Sequence, residues 1–373
     1  MTYLQINYII LLVFSVIIYS VVRKKRTRDV VYLFATFGCV LLFNIIKDWG
    51  NMDDISAYIL AFKYICKQDA RYDIASTFYY KMQIGYFWLN KIIGYVSTSY
   101  YWFMFAIGCL TALPYAMLIK KYSPWVWLSC VLYFAGFAQS TYVLRQHSAI
   151  GLTILILPLL MQLPSDSVWK ALKGQKNIKL CLIILCLLTS AILIHPTAII
   201  FIFVICAYFV KNIKWFITMV LTGGIILYLI LPILTFVFVD NTAGYDVYMD
   251  AENDNKGGTV IINGFYLVAS FYALRPFDRL PQLWKLLFKI QCIIFAFSIV
   301  SMAPRGGAGI PRLLMYLTCF NYIFLPYVTA RMPNKIMRYA FVAGVLFIAY
   351  YLFALSPRIH FYNYNIDKSF LMF

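Results

Sequence analysis

Long apolar runs broken by short polar clusters dominate the chain. Beyond the first hundred residues they recur regularly, over about 99–119, 125–143, 148–163, 180–194 and 197–210, then to about Val239, then over 259–274, 286–303, 311–329 and 339–355. Runs near 20 residues, enough for about 30 Å of hydrocarbon, predict transmembrane helices. Two earlier runs, one reaching about Val22 and one over 30–46, have the same character. No Lys or Arg precedes the first, and Arg23-Lys24-Lys25-Arg26-Thr27-Arg28 follows it directly. A signal peptide carries its charge first, so this run is a span.

Between residues 47 and 97 the pattern changes. Ile55, Ile59, Phe62 and Cys66 recur at helical spacing within a polar, aromatic stretch, which predicts an amphipathic helix lying in the membrane interface. The apolar stretch Gln83 to Val96 is only some 14 residues long, which favours a re-entrant or interfacial helix over a full crossing. The expectation is an all-α, polytopic integral membrane protein with about twelve crossings and one partial helix. The whole chain, 1–373, reads as a single transmembrane domain, with 47–97 an outer-face interfacial or re-entrant segment and 240–258 an outer acidic loop.

Composition sharpens this. Hydrophobic residues make up 63% of the chain and charged ones 12%, and mean hydropathy is +0.78. Soluble domains carry about a quarter charged residues, so a soluble fold is excluded. The excess of 32 Lys+Arg over 14 Asp+Glu, net +18, would point to nucleic acid in a soluble chain. In a membrane chain basic residues collect in cytoplasmic loops, and no nucleic-acid partner is implied. The basic clusters at 23–28, 120–121, 170–179, 211–214, 275–285 and 331–338 then share the cytoplasmic side, with both termini and the acidic loop outside. The nine cysteines form no CxxC pair and read as small hydrophobes; three dispersed histidines make no metal centre.

That alternation leaves Arg145, His195, Arg305, Arg312, Asp53 and Asp54 on the outer face, where orientation does not account for the arginines. Arg145, beside Gln146 and His147, presents a planar fork suited to phosphate oxygens; the competing reading is snorkelling to lipid head groups. His195 follows an aliphatic run and precedes Pro196, and an apolar neighbourhood keeps an imidazole neutral, as a proton acceptor must be. Bonding a carbonyl freed at a proline break is its structural alternative. Arg305 lies in Ala303-Pro304-Arg305-Gly306-Gly307, whose glycines permit close backbone approach to a ligand, and Arg312 follows just inside the next run. Asp53 and Asp54 are either acid/base or sugar-binding carboxylates or solvated interfacial charges. Asp246, Asp250, Glu252 and Asp254 lack the glycine placement of a calcium loop and read as solvated. Among the outer aromatics, Tyr79, Tyr80, Tyr86 and Trp88 are candidates for stacking on sugar rings, against an interfacial aromatic belt.

In order along the chain stand the outer Asp pair, Gln83-Ile84-Gly85-Tyr86-Phe87-Trp88-Leu89-Asn90, Leu144-Arg145-Gln146-His147-Ser148-Ala149, Ile194-His195-Pro196-Thr197-Ala198, and Arg312-Leu313-Leu314-Met315-Tyr316 ahead of Pro326. This order resembles the EpsG family of bacterial exopolysaccharide polymerases, relatives of the Wzy-type O-antigen polymerases, over about residues 40–330. Two departures stand out: Gln83-Ile84 where the family usually has an acidic residue and proline, and His147-Ser148 where it often has glycine or alanine after Arg-Gln.

The resemblance implies a GT-C-like membrane glycosyltransferase of the bacterial cytoplasmic (inner) membrane, its active site facing the periplasm or exterior. Such an enzyme joins undecaprenyl-diphosphate-linked oligosaccharide repeat units into exopolysaccharide, capsule or O-antigen, without metal or other cofactor and with inversion at the anomeric carbon. Its partners are the lipid-linked donor and acceptor, the bilayer and a chain-length regulator. On this sequence, Arg145, Arg305 and Arg312 would hold the diphosphate; His195, Asp53 or Asp54 would take the acceptor proton; Gln146, Gln83 and Tyr316 would contact sugar or acceptor. Two other classes share the composition: a flippase for the same lipid-linked oligosaccharide and a polytopic acyltransferase acting on polysaccharide. The sidedness has a direct check. Single cysteines at positions 97–99 should label from outside; labelling from the cytoplasm would make Gln83 to Val96 a full crossing and reverse the assignment of Arg145 and His195.

Overall fold

A computed structural model of the chain describes residues 13–351 apart from 15–16, 19, 47–52, 68, 79–81, 141–142, 240–256 and 304–306. Every regular element among the described residues is a helix. The outer acidic loop, Arg305, Tyr79 and Tyr80 lie outside the described residues, as does most of the first predicted span.

Four described helices are long and apolar enough to cross a membrane: Tyr100–Tyr122, Gln175–Ile194, Ile213–Pro232 and Gln282–Val300. A fifth span results if Ile310–Thr318 and Asn321–Arg331, bent by 57°, are counted together. Other predicted runs form shorter apolar helices, among them Leu144–Leu160 and Gly258–Ala273, while the run over 30–46 lies within the 22-residue helix Lys25–Ile46. The run over 197–210 is broken: Pro196–Ile200 is a 3₁₀ turn and the α-helix proper is Phe201–Phe209. The interfacial stretch folds as Asp53–Ile65 and Tyr72–Phe78, and Ile84–Val96 forms a helix of 13 residues. At 1.5 Å per residue that helix is about 20 Å long. Gln175–Ile194 and Ile213–Pro232 are only 22% and 11% buried, and expose Leu182, Ile183, Leu185, Ile225, Ile226 and Leu229. Apolar faces of this extent need lipid around them, and the protein is a membrane protein.

The chain divides into two compact units, one of residues Met1–Ile156, Leu185–Ala198 and Val342–Phe373, the other of Leu157–Ile184 and Ile199–Phe341. In the first unit, Lys25–Ile46 packs against Tyr100–Tyr122 and Val126–Ser140. Its core is aromatic: Phe62 stacks on Phe103 at 4.5 Å, and Phe37 on Tyr133 at 4.7 Å. Of the face expected for Asp53–Ile65, Phe62 is fully buried and Ile59 is half-buried, as is Cys66 just past the helix end, and Ile65 is fully buried beside them. Helices meet through small residues, as membrane helices do where lipid gives no hydrophobic drive to associate. A Cβ on Gly151 would lie 2.3 Å from the Leu110 carbonyl oxygen, so this helix rides directly on the backbone of Tyr100–Tyr122.

The second unit is built around Gln282–Val300, which buries most of its residues and packs against Ile213–Val239, Gly258–Ala273, Phe201–Phe209 and Ile310–Thr318. Its interior is partly polar. Asn263 donates to Ser298 Oγ at 2.7 Å, and Gln291 donates to the Asn263 carbonyl at 3.3 Å. Lys289, 2% exposed, donates to the Ala207 carbonyl at 2.8 Å and to that of Val210. Its ammonium thus closes the end of the nine-residue helix Phe201–Phe209, whose last carbonyls have no intrahelical partner.

Packing at Gly151 sets a test. Gly151→Ala should lower stability by about 1–3 kcal/mol through overpacking, seen as an earlier thermal transition in detergent. Gly38→Ala, where an added methyl meets nothing within 4 Å, should be neutral or slightly stabilising.

Candidate functional site

Charge placement alone suggested that Arg145 precedes its helix. Instead the helix is Leu144–Leu160, so Arg145, Gln146 and His147 occupy its first turn. The turn closes through the His147 amide on the Val143 carbonyl at 3.0 Å and the Ser148 hydroxyl on the Leu144 carbonyl at 2.7 Å. Gln146, His147 and Ser148 are buried, while Arg145 is half-buried at the helix end. A cation at a helix N-terminus gains nothing from the macrodipole, whose positive end it shares. Amide donors and guanidinium therefore favour the same kind of ligand, an anion.

Two neutral side chains orient that guanidinium. Arg145 Nη1 donates to Gln83 Oε1 at 2.9 Å, and Nε donates to the Tyr58 hydroxyl at 3.3 Å. The guanidinium carbon also lies 5.5 Å from the Tyr58 ring centroid. Gln83 and Tyr58 carry no charge, so what these two bonds supply is direction. Tyr58 is in turn braced edge-on by Tyr86 at 5.9 Å. Tyr86 is fully buried, which corrects its expected role in sugar stacking: its ring face is not open to a ligand. Trp88, 54% exposed, keeps that possibility.

Gln83 immediately precedes the helix Ile84–Val96, and this helix is seated on a second element of the site. A Cβ on Gly85 would lie 2.5 Å from the Leu193 carbonyl carbon, 2.7 Å from its oxygen and 2.8 Å from the Ile194 nitrogen. Only glycine allows this approach. Gln83 and His195 thus each stand two residues along the chain from one backbone contact.

At His195 the helix Gln175–Ile194 ends and the 3₁₀ turn Pro196–Ile200 begins. The His195 amide still bonds the Ala191 carbonyl at 2.8 Å, while its own carbonyl accepts from Ala198 at 3.0 Å. Proline lacks an N–H and stops the ladder there. Half-buried His195 has Nδ1 at 2.5 Å from the Thr197 hydroxyl, a contact that fixes the orientation of the ring.

The other sequence candidates fall as follows. Asp53 and Asp54 open the helix that carries Tyr58 one turn later. Arg312 and Tyr316 lie in the second unit, one turn apart on Ile310–Thr318, with Arg312 exposed and Tyr316 fully buried. Upstream of them Gly307 lies against the backbone of Ser301: a Cβ on Gly307 would come within 2.5 Å of the Ser301 carbonyl oxygen. Among the described residues no three His, Cys, Asp or Glu side chains converge as a metal site.

Three contributors escaped the sequence. Tyr58 is one of 31 tyrosines, and only its spacing of one turn from Asp54 marks it. Gly85 and Thr197 stand inside the motifs but were not singled out, although a glycine in a short apolar helix and a hydroxyl directly after His-Pro are both readable signals.

No curated protein and no solved structure matches the chain. A sequence model of the EpsG family matches residues 31–366, nearly its whole length.

Proposed function

The chain belongs to the EpsG family, and on that basis we propose that it polymerises undecaprenyl-diphosphate-linked repeat units into exopolysaccharide at the outer face of the bacterial cytoplasmic membrane. The observation that carries the reading is the oriented Arg145 guanidinium, whose partner Gln83 shares one backbone contact with the helix end bearing His195.

In this reading Arg145 binds the diphosphate of the donor chain. Its fork is held by Gln83 and Tyr58, and the amides of the first turn of Leu144–Leu160 add partial positive charge. As the glycosidic bond to the carrier breaks, negative charge grows on the departing phosphate oxygen, and a fixed cation stabilises that charge more than it does the ground state. His195 accepts the proton of the acceptor hydroxyl, with Thr197 holding the ring; an Asp at position 53 or 54 is the alternative base. The acceptor oxygen bonds to the anomeric carbon opposite the leaving diphosphate, so configuration inverts. No metal is required where guanidinium groups take the phosphate charge, and the cleaved phosphoester supplies the driving force. Arg305 and Arg312 are further phosphate-binding groups, each testable by itself. The burial of Gln146 and Tyr316 suits a supporting role behind their neighbouring arginines better than direct contact with sugar. The full crossing count near twelve and a GT-C-like arrangement belong to the same proposal.

Purified protein supplied with lipid-linked repeat units should build a glycan ladder. Absent ladders with intact transbilayer movement of the substrate would instead favour a flippase, and acyl transfer to polysaccharide would favour the acyltransferase.

Arg145→Ala should lower turnover by about 10²–10³-fold, with membrane insertion unchanged. Tyr58→Phe and Gln83→Ala, each removing one orienting bond, should cost only about fivefold to tenfold. Wild-type ladders from Arg145→Ala and Arg312→Ala would remove the diphosphate clamp.

His195→Ala should cost about 10²–10⁴-fold if it is the general base; full turnover would move that role to the Asp pair. Gly85→Ala should reduce activity while leaving expression in the membrane intact.

A further inference from the structure

The second unit contains a cleft that none of the residues assigned to glycosyl transfer lines. It has a volume of about 380 Å³ and lies between the loop after Gly258–Ala273 and the loop joining Asn321–Arg331 to Lys335–Tyr350. Its walls carry three guanidinium groups, those of Arg275, Arg331 and Arg338, together with Tyr272, Met332 and Pro333. Both loops are among those whose basic residues place them in the cytoplasm by charge. Their meeting at one cleft agrees with an even number of crossings between them.

Loop basicity alone would leave these arginines spread in solvent. Here two are positioned. The Arg275 guanidinium carbon lies 3.8 Å from the Phe271 ring centroid, a cation–π contact that restricts where the fork can sit. Arg338 donates through Nη2 to the Met332 carbonyl at 3.1 Å, while its Nε is buried with no acceptor. A buried charged donor lacking an acceptor is costly, and an anion beside the same guanidinium offsets its uncompensated charge. The ion pairs among the described residues are Arg71–Asp73 and Lys170–Asp166, and neither involves these three arginines. Asp278, the carboxylate of the Arg275 loop, does not line the cleft.

We propose that this cleft is a cytoplasmic-face binding site for a phosphate-bearing anion, recognised by the guanidinium forks of Arg275, Arg331 and Arg338. A volume of about 380 Å³ admits a phosphodiester headgroup or a free diphosphate, and the same forks serve either.

Native mass spectrometry of the full-length protein tests this with two probes. Phosphatidylglycerol retention is measured after exchange from mixed phosphatidylglycerol and phosphatidylcholine nanodiscs, and inorganic pyrophosphate is titrated into protein in neutral detergent. Wild type should hold at least one probe roughly tenfold better than Arg331→Gln, whose exposed side chain can be changed without disturbing the fold. Arg338→Lys, which keeps charge but loses the fork, should fall between them. Selective loss of phosphatidylglycerol identifies a lipid headgroup; selective loss of pyrophosphate identifies a soluble phosphate. Weak or equal binding of both probes to wild type and variants overturns the site.

Discussion

Polar groups within apolar helices must find their partners inside the protein, because lipid supplies none. Many hydroxyls meet this demand on their own helix, as Thr153 and Thr329 do, while the bonds that join separate elements organise each unit. Around Arg145 the partners include Gln83 and Tyr58, drawn from two elements far away in sequence. Bringing them together requires the short helix Ile84–Val96 to approach another helix end at backbone distance, which Gly85 permits. The guanidinium direction, the seat of Gln83 and the location of His195 therefore follow from one packing solution.

The second unit answers the same demand differently. Lys289 spends its charge on the carbonyls ending Phe201–Phe209, so a residue that looks chemically active in an apolar helix serves the backbone. Asn263, Gln291 and Ser298 bond mainly to one another across adjoining helices. An ionisable group at membrane depth is a functional candidate by default, and the two cations differ in the partners that hold them. Lys289 serves backbone carbonyls at a helix end, whereas Arg145 is aimed by the side chains of Gln83 and Tyr58.

Much of this was legible in the sequence. Charged residues are so scarce between these apolar runs that Arg145, His195 and Arg312 stood out without structural help, and the order of the motifs around them carried the family. The helical face bearing Phe62 was equally clear from spacing. Other features left no local trace. The start of Leu144–Leu160 was missed because hydropathy counts Arg-Gln-His as loop, whereas a helix end accepts them once Arg145 has partners. The break between Thr318 and Asn321 has no proline or glycine; Phe320 is buried there against Phe201 at 6.0 Å, so tertiary packing sets the bend. Tyr58 was hidden by abundance, since a tyrosine carries little signal in a chain with 31 of them.

The contact at Gly85 has a consequence for how such a protein diversifies. A junction of bare main chain offers no side chain to lengthen or trim, so it tolerates no graded adjustment: the fit is kept or lost. Variation must then fall on replaceable side chains nearby, exposed Trp88 among them, while the junction itself stays fixed.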